Sequence, residues 1–227
     1  VFAGAGYRVI ATDRVESVEQ LYNASYLSID LERFVNDVGY ADTVIEEIMG
    51  LIGGPGLDVL INNAAIQLLG GVDSLTRDGW RLSLDVNLVA PFLLSQALLG
   101  PLEQVAGIII NVSSIHARLT KKNFVAYATT KAALSGMTRS MAVDLGNRIR
   151  VHAIEPAAIE TPMLIAGFSE QPENYHELKA CHPVNRVATP EEFAGFALAV
   201  ATEEFDFMHG ACIPFDGGIG NRLRDPE

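Results

Sequence analysis

Short, continuously apolar runs recur along this chain of 227 residues and alternate with longer segments of helical pattern. Runs that are apolar throughout are typical of strands in a parallel sheet that is covered on both faces. The strand candidates are Tyr7–Thr12, Leu57–Ile61, Gly107–Val112, Arg150–Ile154 and Ala211–Phe215. The helix candidates are Asp42–Leu51, Val86–Gln104, Tyr127–Leu145 and Pro190–Thr202. The alternation predicts one α/β domain over residues 1–227, a Rossmann-like, doubly wound parallel sheet with helices on both faces.

The charge balance limits the classes of partner. Sixteen basic and 28 acidic residues give a net charge of −12, which argues against nucleic acid and against an anionic membrane surface. No apolar stretch reaches the ~18 residues of a membrane span. Cys181 and Cys212 form neither a disulfide framework nor a metal-ligand spacing, and the histidines are scattered. We therefore expect a reduced, cytoplasmic protein without a metal site.

A tyrosine and a lysine four residues apart carry the strongest chemical signal. Tyr127 and Lys131 share one face of the predicted helix, and Ser114 follows the preceding strand. A lysine beside a tyrosine favours the phenolate, so we expect it to lower the tyrosine pKa from its usual ~10. The tyrosine would then transfer protons near neutral pH, while the serine hydroxyl binds the reacting oxygen. The same spacing also occurs on solvated helices without any function.

Together with other motifs, these residues resemble the short-chain dehydrogenase/reductase family from Gly6 to Gly218. The matching segments are Asn62–Ala65, Asp85–Leu88, Val112–Ser114, Tyr127–Lys131, Ile154–Thr161 and Phe215–Gly218. The resemblance implies an NAD(P)-dependent oxidoreductase that moves a hydride between the cofactor and a secondary alcohol or ketone. It also implies a homodimer or homotetramer formed through the helices at Val86–Gln104 and Tyr127–Leu145.

The resemblance assigns four catalytic roles. Tyr127 exchanges the proton, Ser114 binds the substrate oxygen, and Lys131 holds the hydroxyls of the nicotinamide ribose. Asn87 completes a proton relay to Lys131 through water. A structural role is the alternative for Asn87, because a buried asparagine often ties a helix to a strand.

Asp13 ends the first visible strand and bears on the choice of cofactor. A carboxylate there accepts hydrogen bonds from the adenosine ribose and repels a 2′-phosphate, which favours NAD. Arg14 leaves NADP open, and Asp13 would otherwise be a surface residue. By resemblance, the remaining cofactor contacts beside Tyr127 and Lys131 are Asp30, Leu31, Asn63, Ala64, Ile159 and Thr161. Asp30 would otherwise be a turn residue or a helix cap.

Gln67, His116 and Glu155 are the candidate substrate residues. Gln67 and His116 resemble a carboxylate-binding pair of the 3-hydroxybutyrate dehydrogenases, although Phe124 stands where those enzymes have lysine. A polyol or sugar would suit all three residues as well, and loop-stabilising roles are a further alternative. The irregular segment 161–188 is expected to be a loop that covers the substrate.

The sequence departs from the family in two ways. Ala65 and Ala157 replace glycines, which the backbone tolerates only where φ is negative. The family's glycine-rich phosphate loop is absent, since no strand precedes Gly4-Ala-Gly6. We therefore expect the chain to begin inside the first helix and to lack the first strand. An inactive, scaffold-like relative is the alternative function.

Overall fold

The computed structural model describes residues 1–16, 21, 23–168, 172–202, 204 and 206–223. In these ranges the strands are β1 Val9–Asp13, β2 Ala24–Ser28, β3 Val59–Asn62, β4 Ile108–Val112, β5 Arg150–Pro156 and β6 Cys212–Phe215. The α-helices are α1 Leu31–Asn36, α2 Val38–Ile52, α3 Arg77–Leu84, α4 Ala90–Ala97, α5 Leu99–Gln104, α6 Val125–Leu145, α7 Pro162–Gly167, α8 Pro172–Cys181 and α9 Pro190–Ala201. Short 3₁₀ turns lie at Ala3–Ala5, Ile115–Ala117 and Ile219–Asn221, and a π-helical turn lies at Asp85–Val89.

Every paired strand is parallel to its neighbour. β1 pairs with β2, and β3, β4, β5 and β6 form a second sheet in that order. No hydrogen-bonded ladder joins β1 to β3 among the described residues. Because parallel strands of a sheet all end at the same edge, the segments after β3, β4 and β5 lie together. That edge is where open α/β sheets bind ligands.

Alternate residues of β4 face two different hydrophobic cores. Ile109 is buried in a core formed with α2, α4, α5 and the end of α6. Ile108 and Ile110 face the opposite way and pack with α9 through Ala197 and Val200. The sheet is therefore covered by helices on both faces, which confirms the doubly wound α/β architecture.

A buried chain of polar side chains attaches α6 to the sheet. Asn62 Nδ2 donates to Asn111 Oδ1 at 2.8 Å, and Asn111 Nδ2 donates to Thr138 Oγ1 at 2.9 Å. Asn111 and Thr138 are fully buried. Leaving such a group unpaired costs about 1–3 kcal/mol. These bonds therefore fix how α6 lies against the carboxyl ends of β3 and β4.

Two expected elements have a different form. The helix expected over 86–104 is divided into the π-helical turn, α4 and α5, with the break at Leu98 (φ −98°, ψ 10°) just before Gly100 and Pro101. The segment expected to be a loop, 161–188, contains α7 and α8, which both begin at a proline, a residue suited to the first helical turn. Its covering role stays a prediction. Each helix in the described ranges is too short or too polar to cross a lipid bilayer.

Candidate active site

Ser114 stands where β4 has ended and the chain turns towards α6. Its backbone is extended (φ −166°), and its Oγ accepts a hydrogen bond from the backbone N–H of His116 at 3.1 Å. The side chain thereby caps the short turn Ile115–Ala117. This contact uses Oγ as an acceptor, so the hydroxyl proton remains for a partner in the site.

Tyr127 lies in the first turn of α6, and its phenol lies close enough to the Ser114 side chain for the two groups to interact. Burial raises the pKa of Tyr127 above its ordinary value of 10.0, and the interaction with the Ser114 side chain partly offsets that rise. The expected lowering of this pKa by Lys131 was wrong, because burial dominates. The structure nevertheless brings the predicted serine and tyrosine together.

Lys131 is buried one helical turn after Tyr127, with 2% of its surface exposed. Its Nζ donates to the Val112 carbonyl oxygen at 2.7 Å and lies 5.7 Å from the centroid of the Tyr127 ring. Burial lowers the pKa of Lys131 from 10.5 to about 8. None of the ion pairs in the described part of the chain involves Lys131. Its ammonium group has three N–H donors, and this bond uses one of them.

Asn87 is buried in the π-helical turn, a distortion that is frequent at functional sites. Its Oδ1 accepts from the Ile66 N–H at 2.8 Å. Its Nδ2 donates to the Ile66 carbonyl at 2.9 Å and to Thr130 Oγ1 at 3.1 Å. The amide therefore ties the loop after β3 to α6 beside Lys131, as the structural alternative proposes. The relay role stays a prediction.

His116 forms part of an aromatic wall beside Tyr127. Its ring stacks on Phe124 with centroids 4.4 Å apart and planes at 4°, and it meets the Tyr127 ring edge-on at 5.7 Å. Its Nδ1 lies 3.0 Å from Thr120 Oγ1. Burial, aided by the positive charge of Lys121, lowers the pKa of His116 to about 4. Without a bound substrate the imidazole is therefore neutral at physiological pH.

The other two candidate substrate residues differ in their surroundings. Gln67 is exposed in the segment after β3. Glu155 is 2% exposed, and Arg118 Nε and Ser135 Oγ donate to its two carboxylate oxygens. This geometry does not support a contact between Glu155 and substrate. Sequence reasoning missed Arg118, for which neither motif nor spacing gave a signal.

Two acidic residues lie at or just after the carboxyl ends of β1 and β2. Asp13 ends β1, is exposed, and accepts the Arg14 N–H at 2.6 Å. Asp30 caps α1 by accepting the Arg33 N–H at 3.0 Å, as its alternative interpretation proposed. Leu31, the next residue, packs against the hydrophobic core.

The remaining cofactor candidates follow β3 and β5. Asn63 and Ala64 are exposed directly after β3. Ile159 forms an isolated bridge with Ala188, and Thr161 Oγ1 accepts the Leu164 N–H at 3.2 Å. Of the described non-glycine residues, those with positive φ are Asn23, Ala106, Asn123 and Asn185. Neither replaced glycine position therefore requires glycine.

This donor set fits a nicotinamide dinucleotide. An exposed carboxylate at the end of β1 suits ribose hydroxyls, and exposed backbone after β3 gives the cofactor room to approach. Lys131 adds a buried ammonium group next to the Tyr127 phenol. When bound, the nicotinamide supplies or accepts the hydride.

Comparison with known families identifies the family of this chain. Residues 1–220 match the family described as enoyl-(acyl carrier protein) reductase, a group of short-chain dehydrogenases and reductases. The chain belongs to the short-chain dehydrogenase/reductase family. The expected serine, tyrosine and lysine therefore lie in a chain of the expected family.

Three of the curated relatives are named for cyclic alcohols or a sugar. Trans-4-hydroxycyclohexanecarboxylate dehydrogenase of Sinomonas cyclohexanicum is 37% identical over 174 residues, which cover 74% of this chain and 63% of the relative. L-xylulose reductase of Bos taurus is 31% identical over 225 residues, covering 95% and 87% of the two chains. Cyclopentanol dehydrogenase of Comamonas sp. is 30% identical over 197 residues, covering 86% and 76%.

Solved short-chain dehydrogenase/reductase structures superpose closely. Ligand-free Thermoplasma acidophilum aldohexose dehydrogenase has a TM-score of 0.88 at 28% identity and covers 100% of this chain and 90% of its own. ElxO with NADP bound scores 0.84 at 25% identity, covering 97% and 92%. 4-Hydroxyisoleucine dehydrogenase complexed with NADH scores 0.86 at 25% identity, covering 98% and 92%. The protein is an NAD(P)-dependent oxidoreductase that acts on an alcohol or its ketone.

Replacing Lys131 tests its buried environment. Since its folded pKa of about 8 lies below the unfolded value of 10.5, the unfolded chain binds more protons between these values. Wild-type stability should therefore rise with pH across this window. Relative to Lys131→Met, the wild-type free energy of unfolding should increase by roughly 2–3 kcal/mol between pH 7 and 10. Urea denaturation measures this, with exposed Lys122→Met as control. Parallel stability curves would contradict the lowered pKa.

Proposed function

We propose that Tyr127 exchanges a proton with the oxygen of a secondary alcohol or ketone while Ser114 binds the same oxygen. The observation that carries this proposal is that these two side chains interact beside the buried Lys131, whose Nζ lies 5.7 Å from the Tyr127 ring centroid. Two hydroxyl groups that contact each other can also meet at one substrate oxygen. A nicotinamide cofactor held beside Lys131 would supply or accept the hydride of this reaction.

Neighbouring groups orient the Ser114 hydroxyl and place a positive charge beside the Tyr127 hydroxyl. The His116 N–H occupies a lone pair of Ser114 Oγ, which leaves the serine proton to be donated to the substrate oxygen. The bond to the Val112 carbonyl holds the Lys131 ammonium group next to Tyr127. In the oxidative direction, this positive charge would favour the phenolate that accepts the alcohol proton, against the opposing effect of burial.

We propose a secondary alcohol on a compact, largely apolar carbon skeleton as the substrate. The stacked rings of His116 and Phe124 give the site an apolar wall beside Tyr127. Glu155, which would suit a polyol, is already bound to Arg118 and Ser135. The names of the cyclopentanol and hydroxycyclohexanecarboxylate dehydrogenases support a cyclic alcohol. A substrate carboxylate would meet Lys121, whose Nζ lies 4.8 Å from the Phe124 ring centroid.

Removing the phenolic oxygen tests the reaction directly. Tyr127→Phe keeps the ring but abolishes proton transfer, so turnover should fall roughly 100-fold or more while NAD⁺ binding persists. Steady-state rates are measured with cyclopentanol and with trans-4-hydroxycyclohexanecarboxylate, each in the presence of NAD⁺ or NADP⁺. L-Xylulose, which is a ketone, is tested with NADH or NADPH. Tyr7→Phe is the matched control, because Tyr7 precedes β1 at the end of that strand opposite Asp13 and packs on Phe2. Near-normal turnover of Tyr127→Phe on the best of these substrates would refute the mechanism.

We propose that NAD is the preferred cofactor. This proposal is supported by the exposed carboxylate of Asp13 at the end of β1, which would repel a 2′-phosphate. Asp13→Ala should raise kcat/KM for NADP⁺ relative to NAD⁺, whereas the exposed Asp42→Ala control should leave the ratio unchanged. The measurement is kcat/KM for NAD⁺ and for NADP⁺ with the same alcohol. An unaltered ratio of kcat/KM values in Asp13→Ala would show that Asp13 does not contact the cofactor.

We also propose a cytoplasmic homodimer or homotetramer formed through α4 and α6. Exposed apolar or small side chains on these helices support it, namely Phe92, Ala132 and Val143. Light scattering should give at least twice the chain mass. Ala132→Arg should lower that mass, and Thr43→Arg on exposed α2 should not. A monomer in the unaltered protein would contradict this assembly.

A further inference from the structure

Glu155 is a buried carboxylate that the proposed reaction does not use. It lies in β5 with 2% of its surface exposed. Its Oε1 accepts from Ser135 Oγ at 2.9 Å, and its Oε2 accepts from Arg118 Nε at 2.7 Å. A carboxylate taken out of water needs such partners, because burying an unpaired charge is strongly unfavourable. The two partners belong to two different parts of the active site.

The first partner leads to Lys131. Ser135 lies one helical turn after Lys131 on α6, and its Oγ is 2.8 Å from Ser113 Oγ. Ser113 Oγ in turn donates to the Lys131 carbonyl at 2.9 Å. Since Ser135 donates its proton to Glu155, the Ser113 proton is shared between Ser135 Oγ and the Lys131 carbonyl. Through these contacts, Glu155 holds the turn of α6 that carries the catalytic lysine.

The second partner leads to Ser114. Arg118 follows the turn Ile115–Ala117, and its N–H donates to the Ile115 carbonyl at 3.0 Å. This turn begins at Ser114, whose Oγ caps it. Arg118 Nη2 also lies 4.0 Å from Asp216 Oδ2, in the segment after β6. The ion pair with Glu155 therefore fastens the serine-bearing turn to β5.

We propose that Glu155 is a positioning residue that holds Ser114 and the Tyr127–Lys131 helix at the spacing needed to share one substrate oxygen. This inference rests on the proposed roles of those three residues. Both carboxylate oxygens are required, because each accepts from a different donor and glutamine offers only one acceptor oxygen. A glutamine at 155 would keep either Ser135 or Arg118 as a donor and leave the other without an acceptor.

The test compares Glu155→Gln and Arg118→Gln with the wild type, using cyclopentanol or whichever of the three named substrates is turned over fastest. Each variant should lower kcat by roughly 10- to 100-fold, since small misplacements of reacting groups have effects of this size. KM for substrate and for NAD⁺ should change little. Glu103→Gln, which removes an exposed ion pair with Arg148 (2.7 Å), is the matched control and should keep the wild-type kcat.

The double variant tests whether the pair acts as a unit. If it does, Arg118→Gln combined with Glu155→Gln should lower kcat no further than the worse single variant. Should Glu155→Gln fail to fold, Arg118→Gln still decides the matter, because its side chain is 44% exposed and easier to replace. Thermal unfolding confirms that all rates are measured on folded protein.

Three outcomes overturn the inference. A rise in substrate KM with unchanged kcat would mean that Glu155 contacts substrate directly. A kcat in both single variants equal to that of Glu103→Gln would mean that the network does not position the site. Additive losses in the double variant would mean that Glu155 and Arg118 act separately. Tyr127→Phe is measured in parallel, and if it retains turnover, the proposed function itself fails rather than this inference alone.

Discussion

The hydrogen bond from the Lys131 ammonium group to the Val112 carbonyl is the contact on which the site depends. It joins α6 to the carboxyl end of β4 in the protein interior, at 2.7 Å. Ser114 follows Val112 by two residues, and Tyr127 precedes Lys131 by one helical turn. One buried contact therefore places the serine and the tyrosine relative to each other. Burial makes the cation unfavourable, which is the physical reason for its lowered pKa.

The buried face of α6 is unusually polar for a core helix. Thr130, Lys131, Ser135 and Thr138 are all buried there, and each has a hydrogen-bond partner. The partners lie on β4, β5 and the π-helical turn. Polar contacts in a low-dielectric interior are directional, so they specify the position of a helix more narrowly than apolar packing does. Burying these polar groups costs free energy, but their hydrogen bonds hold Tyr127 and Lys131 in a defined position relative to Ser114.

Features that depend on short, local sequence patterns were predicted correctly. The apolar runs located β1, β3, β4, β5 and β6, and the motif spacing located Ser114, Tyr127 and Lys131. β2 was missed because Ala24–Ser28 alternates small, polar and apolar residues without a clear apolar run. The break at Leu98 was also missed, although Gly100 and Pro101 follow it closely in the sequence. The partners of Glu155 could not be predicted, since Arg118 lies 37 residues away and no motif relates the two positions.

A crystal structure of Tyr127→Phe with NAD⁺ and cyclopentanol would test the central claim most directly. The variant is blocked in proton transfer, so the alcohol should remain unreacted in the site. The account predicts that its oxygen lies about 2.5–3.0 Å from Ser114 Oγ and next to the ring edge from which the Tyr127 oxygen was removed. An alcohol oxygen bound elsewhere, with Ser114 still engaged only with the protein, would contradict the account.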